Sequence, residues 1–353
     1  MKTKVIDIKS TSRIKWLSLC FAIATIIFSF NKPAVAQDDG ARAYWNARAS
    51  TNVISFQYLP MNIGASDSKT FAPGQYIYPN ADIDANVFVG TWAHHMTIFN
   101  RPSAFAVNII GGSVGANMNA NFASDSLLLP PGITPGNSFS QTSNGFADPN
   151  MQLVINLFGT PKLKSNVDLL NYEPSFTMDI ALLLAVPIGA YENDKLVNLG
   201  LNRWYGRIAL PLKYHFGVFS PGYMSSFELT PSVYLFADNV DFVDGHTLKN
   251  EPLWSIESHL THDFTTNFFA SLDMLYQSGF QSKLDGNEIA EKFKIGTLGF
   301  TLNYQVSDNI TIRTSYNSNV FGDDNLETSS IRLQFVYAWN RASQNAKKLQ
   351  QGH

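Results

Sequence analysis

The strongest pattern in the chain is its last periodic run, Ile331-Arg332-Leu333-Gln334-Phe335-Val336-Tyr337-Ala338-Trp339. Odd positions carry Ile, Leu, Phe, Tyr and Trp, whereas even positions carry Arg, Gln, Val and Ala. A period of two predicts a strand with one apolar face and one mixed face. The apolar face turns aromatic toward its end, as lipid-facing strands do at a membrane interface. Similar runs occupy 52–59, 82–97, 103–115, 151–158, 176–184, 204–216, 227–235, 252–260, 268–277, 297–304 and 310–316. The count is therefore about twelve, and bacterial barrels require an even number.

The faces follow from the alternation. In the sixth run Trp204, Ile208, Leu210, Leu212, Tyr214 and Phe216 oppose Tyr205, Arg207, Lys213 and His215. In the second, Ile83, Ala85, Val87 and Val89 oppose Asp82, Asp84, Asn86 and Phe88. Taking the apolar face as outward in each run puts Arg207, Lys213, Glu228, Glu257, Arg313 and Arg332 on the inner wall. The aromatic residues Phe88, Trp92, Tyr205, Tyr234 and Phe236 then also point inward. Links after even-numbered runs are mostly short (Asn100–Pro102, Asp263–Thr265, Val306–Asp308), and links after odd-numbered runs are long (62–80, 116–148, 188–202, 238–249, 279–291). Short turns at one end and long loops at the other mark an outer-membrane barrel. The link 160–173 breaks this rule and is expected to hold a helical turn or a further element. A soluble sandwich or jelly roll would alternate too. The aromatic strand ends, the loop alternation and the leader favour an all-β, transmembrane, antiparallel up-and-down barrel.

Composition sharpens this. The 353 residues have a net charge of -3 and a mean hydropathy of -0.07. That leaves no basic footprint for nucleic acid. Outside the N-terminus no run reaches the roughly 18 apolar residues of a spanning helix. Lys2, Lys4, Lys9, Arg13 and Lys15 precede an apolar stretch from Trp16 to Phe30, and Ala34-Val35-Ala36 follows it. This is a secretory signal, 1–36, cleaved before Gln37. The single cysteine, Cys20, lies inside it, so the mature chain holds no disulfide. Residues 37–50 read as a plug or a periplasmic segment, 37–339 as the barrel domain, and 340–353 as a polar tail.

Candidate chemistry is sparse. His94 and His95 are adjacent on a strand, point to opposite faces and cannot chelate one ion together. Ser258-His259 invites a hydrolase, but no Gly-x-Ser-x-Gly elbow frames any serine. Gly111-Gly112-Ser113-Val114-Gly115 has no helix after it to complete a phosphate site. Catalytic residues, metal ligands and cofactors are therefore not expected. The inner wall is the expected functional surface: either paired charges that fill the barrel or a polar path with an aromatic patch for an apolar solute. Pro211 and Pro231 sit at similar heights on neighbouring strands, and neither can donate a ladder bond. They mark either two bulges or a lateral seam through which a solute leaves.

The segments Ala185-Val186-Pro187-Ile188-Gly189-Ala190-Tyr191 and Asn198-Leu199-Gly200-Leu201-Asn202-Arg203-Trp204, with Asp148-Pro149 and Asn239, carry a further signal. They resemble the meta-pathway phenol-degradation family of outer-membrane transporter-like barrels, which usually has Thr where this chain has Ile188. The resemblance implies a barrel channel, without catalytic residues, for hydrophobic compounds. The reading is a passive outer-membrane channel for small hydrophobic or aromatic compounds. Two alternatives stay open: a structural or adhesive barrel with a filled lumen, and a lipid-modifying enzyme. The partners implied are outer-membrane lipid, small apolar solutes and the barrel-assembly machinery.

Cleavage after Ala36 makes a concrete expectation. N-terminal sequencing of protein recovered from the outer membrane should read Gln37-Asp38-Asp39. A chain still starting at Met1, or recovery from the soluble periplasm, overturns the leader assignment.

Overall fold

The structure is a computed structural model that describes residues 39–65, 81–119, 138–165, 167–168, 172–173, 175–217, 222–322 and 326–340. The leader 1–36, the tail beyond Asn340 and the centres of the links 62–80 and 116–148 lie outside the described residues.

The strands are β1 (Thr51–Ala65), β2 (Ala81–Ile98), β3 (Arg101–Asn119), β4 (Ser138–Phe146 and Asn150–Phe158), β5 (Phe176–Ala185) and β6 (Tyr205–Ala209 and Leu212–Phe216). They continue with β7 (Ser225–Phe236), β8 (Leu253–Asp263), β9 (Phe268–Gly279), β10 (Phe293–Gln305), β11 (Ile310–Gly322) and β12 (Leu326–Asn340). Each pairs antiparallel with its neighbours in sequence, and β1 pairs with β12 from Thr51↔Asn340 to Ala65↔Leu326. That last ladder closes a twelve-stranded barrel and leaves no edge.

Burial is the reverse of a soluble protein's. In β8, Trp254, Ile256 and Leu260 are exposed, and Ser255, Glu257, His259 and Thr261 are buried. In β12, Ile331, Leu333, Phe335 and Tyr337 point outward while Arg332 is buried. An outward apolar surface this extensive cannot face water in a monomer. It fits hydrocarbon.

Three features differ from the sequence expectation. First, β2 is turned over: Ile83, Ala85 and Val89 are buried, whereas Phe88 and Trp92 are 58% and 43% exposed. Cross-strand neighbours share a face, and Phe88 stands opposite the outward Tyr58 and stacks on it at 4.9 Å. Where both faces of a strand carry apolar residues, the alternation gives the period but not its sign. Second, Ser138–Phe146, assigned to a loop, extends β4 and pairs with β3 alone. Its polar sequence lacks alternation because this extension stands clear of the apolar belt. Third, the links 238–249 and 279–291 are not plain loops. They form Asn239–Phe242, His246–Asn250, Ser282–Leu284 and Asn287–Ala290, a separate four-stranded antiparallel sheet. In the link 160–173, Val167 and Asp168 are helical.

Phe99-Asn100 makes a two-residue turn between β2 and β3, with φ of 48° and 61°. Positive φ at both central residues is the hairpin geometry whose twist matches the strands, and Asn tolerates it well.

Facing is testable. Leu333→Arg should cost about 2–4 kcal/mol near the bilayer midplane, and Gln334→Arg far less. Denaturant titration of the protein refolded into bilayers measures both; equal costs, or the opposite order, would mean that the barrel does not sit in lipid.

Candidate functional site: a cavity in the barrel lumen

The inner wall has two unlike sectors. From β5 to β11 it is charged, and each buried carboxylate has partners. Lys213 Nζ pairs with Asp179, which also accepts from Asn156 Nδ2 at 2.6 Å. His259 lies between Glu257 (2.7 Å from Nε2) and Asp273 (2.6 Å from Nδ1). An imidazole donates to two carboxylates only when protonated. Asp273 accepts from Thr301 Oγ1 at 2.6 Å and from Ser271. This geometry leaves neither ring nitrogen of His259 for a serine hydroxyl, so Ser258-His259 forms no nucleophile–base pair.

The chain before β1 satisfies the rest of this sector. The backbone N–H groups of Asp39 and Gly40 donate to Glu257 at 3.1 and 2.9 Å. Arg42 N–H and Trp45 Nε1 donate to Glu228 at 2.9 and 2.8 Å. The Arg42 guanidinium pairs with Asp263 at 2.7 Å and lies between the Trp45 and Phe269 rings, 4.1 and 4.0 Å from their centroids. Asp39 takes Arg207 Nη1 at 2.6 Å and the Tyr44 hydroxyl at 2.5 Å, and Lys213 donates to the Tyr44 carbonyl. Residues 39–45 thus lie inside the barrel against this wall.

From β1 to β4 the inner wall is largely aliphatic. Leu59, Met61, Ala85, Val87, Val89, Ile110 and Val114 border a cavity of about 380 Å³. Tyr44, Tyr205, Arg207, Tyr234, Arg313 and Arg332 border it from the other side. A cavity of ~150 Å³ already holds a benzene-sized molecule, and ligand pockets begin at ~300 Å³.

Toward the long-loop end an apolar cluster packs over the lumen. It joins Ile83 and Val114 of the wall to Leu196, Val197 and Leu199 of the link after β5 and to Phe242, Leu248, Phe280 and Leu284. A break in β4 anchors this cap. Asp148 there accepts the N–H groups of Gly189 at 2.8 Å and Leu201 at 2.7 Å. Cβ atoms would collide here: one on Gly189 would stand 2.6 Å from Asp148 N, and one on Gly200 would stand 2.8 Å from Gly189 C. Asn239 Nδ2 donates to the Tyr191 hydroxyl at 2.9 Å, Asn202 Nδ2 to Asn239 Oδ1 at 3.1 Å, and Arg203 Nη1 to Asn250 Oδ1 at 2.6 Å. Burial lowers the Arg203 guanidinium to about 10, still charged at neutral pH.

These placements sort the candidate lumenal residues. Tyr205, Arg207, Tyr234, Arg313 and Arg332 border the cavity. Lys213, Glu228 and Glu257 are buried under residues 39–45, away from it. Phe236 packs beneath the cap, 5.0 Å from Phe280 and 6.0 Å from Tyr205. Phe88 and Trp92, expected inward, face out and take no part. At the prolines, Leu210 N–H donates to the Pro231 carbonyl and Asp179 N–H to the Pro211 carbonyl, each at 2.9 Å. The pairings Ala209↔Ser232 and Leu212↔Leu229 keep one register, so the ladder there holds no bulge. His94 points outward and bonds Asn52 at 2.9 Å, whereas His95 borders the cavity. Alternation alone does not reveal the aliphatic wall, because both faces of β2 carry apolar residues. Its only signal was the pairing of β2 with β1, visible had Gln57 been set beside Val89.

A family model described as "Putative MetA-pathway of phenol degradation" matches residues 66–335. The chain belongs to that family. No curated protein matches it in sequence. Among solved structures, an outer membrane channel from Pseudomonas putida F1 is similar, with a TM-score of 0.63 at 14% identity over 86% of this chain and 100% of that one. It shares the barrel fold. The P. putida toluene transporter TodX aligns with a TM-score of 0.39 at 9% identity, over 83% of this chain and 91% of TodX. The motif residues that carry the family resemblance, Asp148, Gly189, Gly200 and Asn239, are the ones that tie the cap to the wall.

The buried pair gives a test of this wall. Lys213→Met strands Asp179 in a dry site and should destabilise the barrel by about 3–5 kcal/mol. Adding Asp179→Asn should recover most of that. Urea titration of the two variants measures both, and a double variant no more stable than the single one rejects the pairing.

Proposed function

We propose that this protein is an outer-membrane channel for the passive uptake of small apolar or aromatic compounds. The observation that carries the reading is the lumenal cavity of about 380 Å³ with an aliphatic wall, inside a barrel whose outer face is apolar. A filled structural barrel has no reason to keep an apolar hollow beside a charged wall. Family membership supports the same reading, since the family's description concerns phenol degradation. With the short turns on the periplasmic side, residues 39–45 lie on the cell side of the path and the cap lies on the outer side. An apolar solute crosses hydrocarbon readily but is held back by the polar outer leaflet. A site that replaces lost hydration with weak apolar contacts lowers that barrier without an energy source, and weak binding lets the solute leave.

The test is uptake of labelled monoaromatics and sugars by intact cells. Deleting the gene should slow monoaromatic uptake at low concentration and leave sugars unchanged. Ala106→Trp, which fills the cavity from β3, should fail to restore uptake at normal barrel abundance. Trp92→Ala, on the lipid face, should restore it. Slower sugar uptake with unchanged monoaromatic uptake would make the protein a hydrophilic pore. No change in either would return the structural barrel to favour.

A further inference from the structure

Every carboxylate named above on the inner wall has hydrogen-bond donors aimed at it, and most of the cations are paired in turn. Arg313 is the exception. Its Nε donates to Asn303 Oδ1 at 3.1 Å, and its guanidinium stands 5.7 Å from the Phe269 ring. Among the described residues its two terminal nitrogens have no hydrogen-bond acceptor and no ion-pair partner, and the side chain borders the cavity. The carboxylates that would otherwise reach it are taken. Glu228 accepts from Arg42, Trp45 and Ser226, and Asp273 accepts from His259, Ser271 and Thr301. Arg332 adds a second positive charge close by. The Nη1 atoms of Arg313 and Arg332 stand 3.7 and 3.0 Å from the point where a Cβ on Gly40 would lie. Two guanidinium groups drawn that close repel each other, and an anion on Arg313 offsets that repulsion.

The surroundings define what that anion is attached to. At the height of Arg313 the wall runs through Gln334 and Gln57 to Val89 and Ile110, each paired with the next across the ladder. Three ladder steps therefore lead from a guanidinium through two amides to aliphatic surface, and the long Arg313 side chain reaches back across the lumen toward it. We infer that the cavity takes small amphipathic acids, with an aromatic or short aliphatic body on the β1–β4 wall and one carboxylate on Arg313. This rests on the channel reading and narrows it, from apolar compounds in general to their carboxylates. A guanidinium holds a planar carboxylate through two parallel bonds, so the site distinguishes an acid from the matching alcohol.

The decisive measurement is equilibrium dialysis of labelled benzoate and benzyl alcohol against the purified full chain in detergent. Wild type should bind benzoate. Arg313→Gln should weaken that binding by at least about tenfold, because a charge-assisted bond is lost. Arg313→Lys should fall between the two, and benzyl alcohol should bind all three proteins alike. In wild type alone, rising salt should displace benzoate and spare benzyl alcohol, which needs no variant to fold. Equal benzoate binding by wild type and Arg313→Gln, including none by either, overturns the inference, as does salt-independent binding. Proteoliposome uptake separates the two readings. If benzoate binding follows Arg313 but neither compound crosses, the anion subsite stands and the channel fails. If both compounds cross equally through wild type and Arg313→Gln, the channel stands and the subsite fails.

Discussion

A charged side chain that faces the inside of a closed barrel cannot swing away to bulk water. The ladder fixes its Cα, period two fixes its direction, and leaving it unpaired costs several kcal/mol. Much of the lumen follows from that constraint. Asp179 needs Lys213, and Glu257 and Asp273 need His259; Glu228 stands between Lys213 and His259 across the ladder, but both are engaged by those other acids. The chain before β1 supplies what is missing. Its backbone N–H groups at Asp39, Gly40 and Arg42 are donors with no strand partner, and they end on Glu257 and Glu228. An otherwise irregular segment thus obtains its hydrogen bonds from the wall, and the wall obtains its donors from the segment.

The same constraint explains why the cavity lies where it does. Residues 39–45 follow the carboxylates, which lie from β5 to β9. The sector from β1 to β4 offers Leu59, Val87, Val89 and Ile110, to which a polar backbone gains nothing by binding. Space remains on that side, and its wall is mainly aliphatic, broken by Gln57, Thr91, His95, Asn108 and Gln152. The division of the lumen into a filled charged half and an open aliphatic half is therefore a consequence of where the sequence puts its acids.

Much of the fold was legible, because alternation is a local property and the short and long links alternate along the chain; closure itself lies in the pairing of β1 with β12. The inward direction of Glu228, Glu257 and Arg332 could be read one strand at a time, since their neighbours two residues away are polar and the opposite face is apolar, and that of Arg207 and Lys213 from the apolar face opposite them. β2 defeated that logic. Ile83, Ala85, Val87 and Val89 look like a lipid face, and only pairing with β1 reveals that they line the lumen. The functional wall was therefore the least legible part, because an apolar lumen and an apolar outer face carry the same sequence signal. The cap was also illegible: strands of three to five residues outside the membrane have too few positions to show a period.

The motif residues behave differently again. Asp148, Gly189, Gly200, Asn202 and Asn239 come from four separate stretches and meet near the break in β4. The break is needed because an unbroken β4 would present no carboxylate to the incoming loop. The loop in turn needs glycine where its backbone touches the wall. Such a junction constrains its residues tightly, since a Cβ at Gly189 or Gly200 would collide with backbone and Asp148 accepts both N–H groups. A sequence signature built on this junction identifies the architecture of the barrel. On the proposed reading the identity of the solute is written elsewhere, in the aliphatic wall and in Arg313, both of which border the cavity and neither of which takes part in that junction.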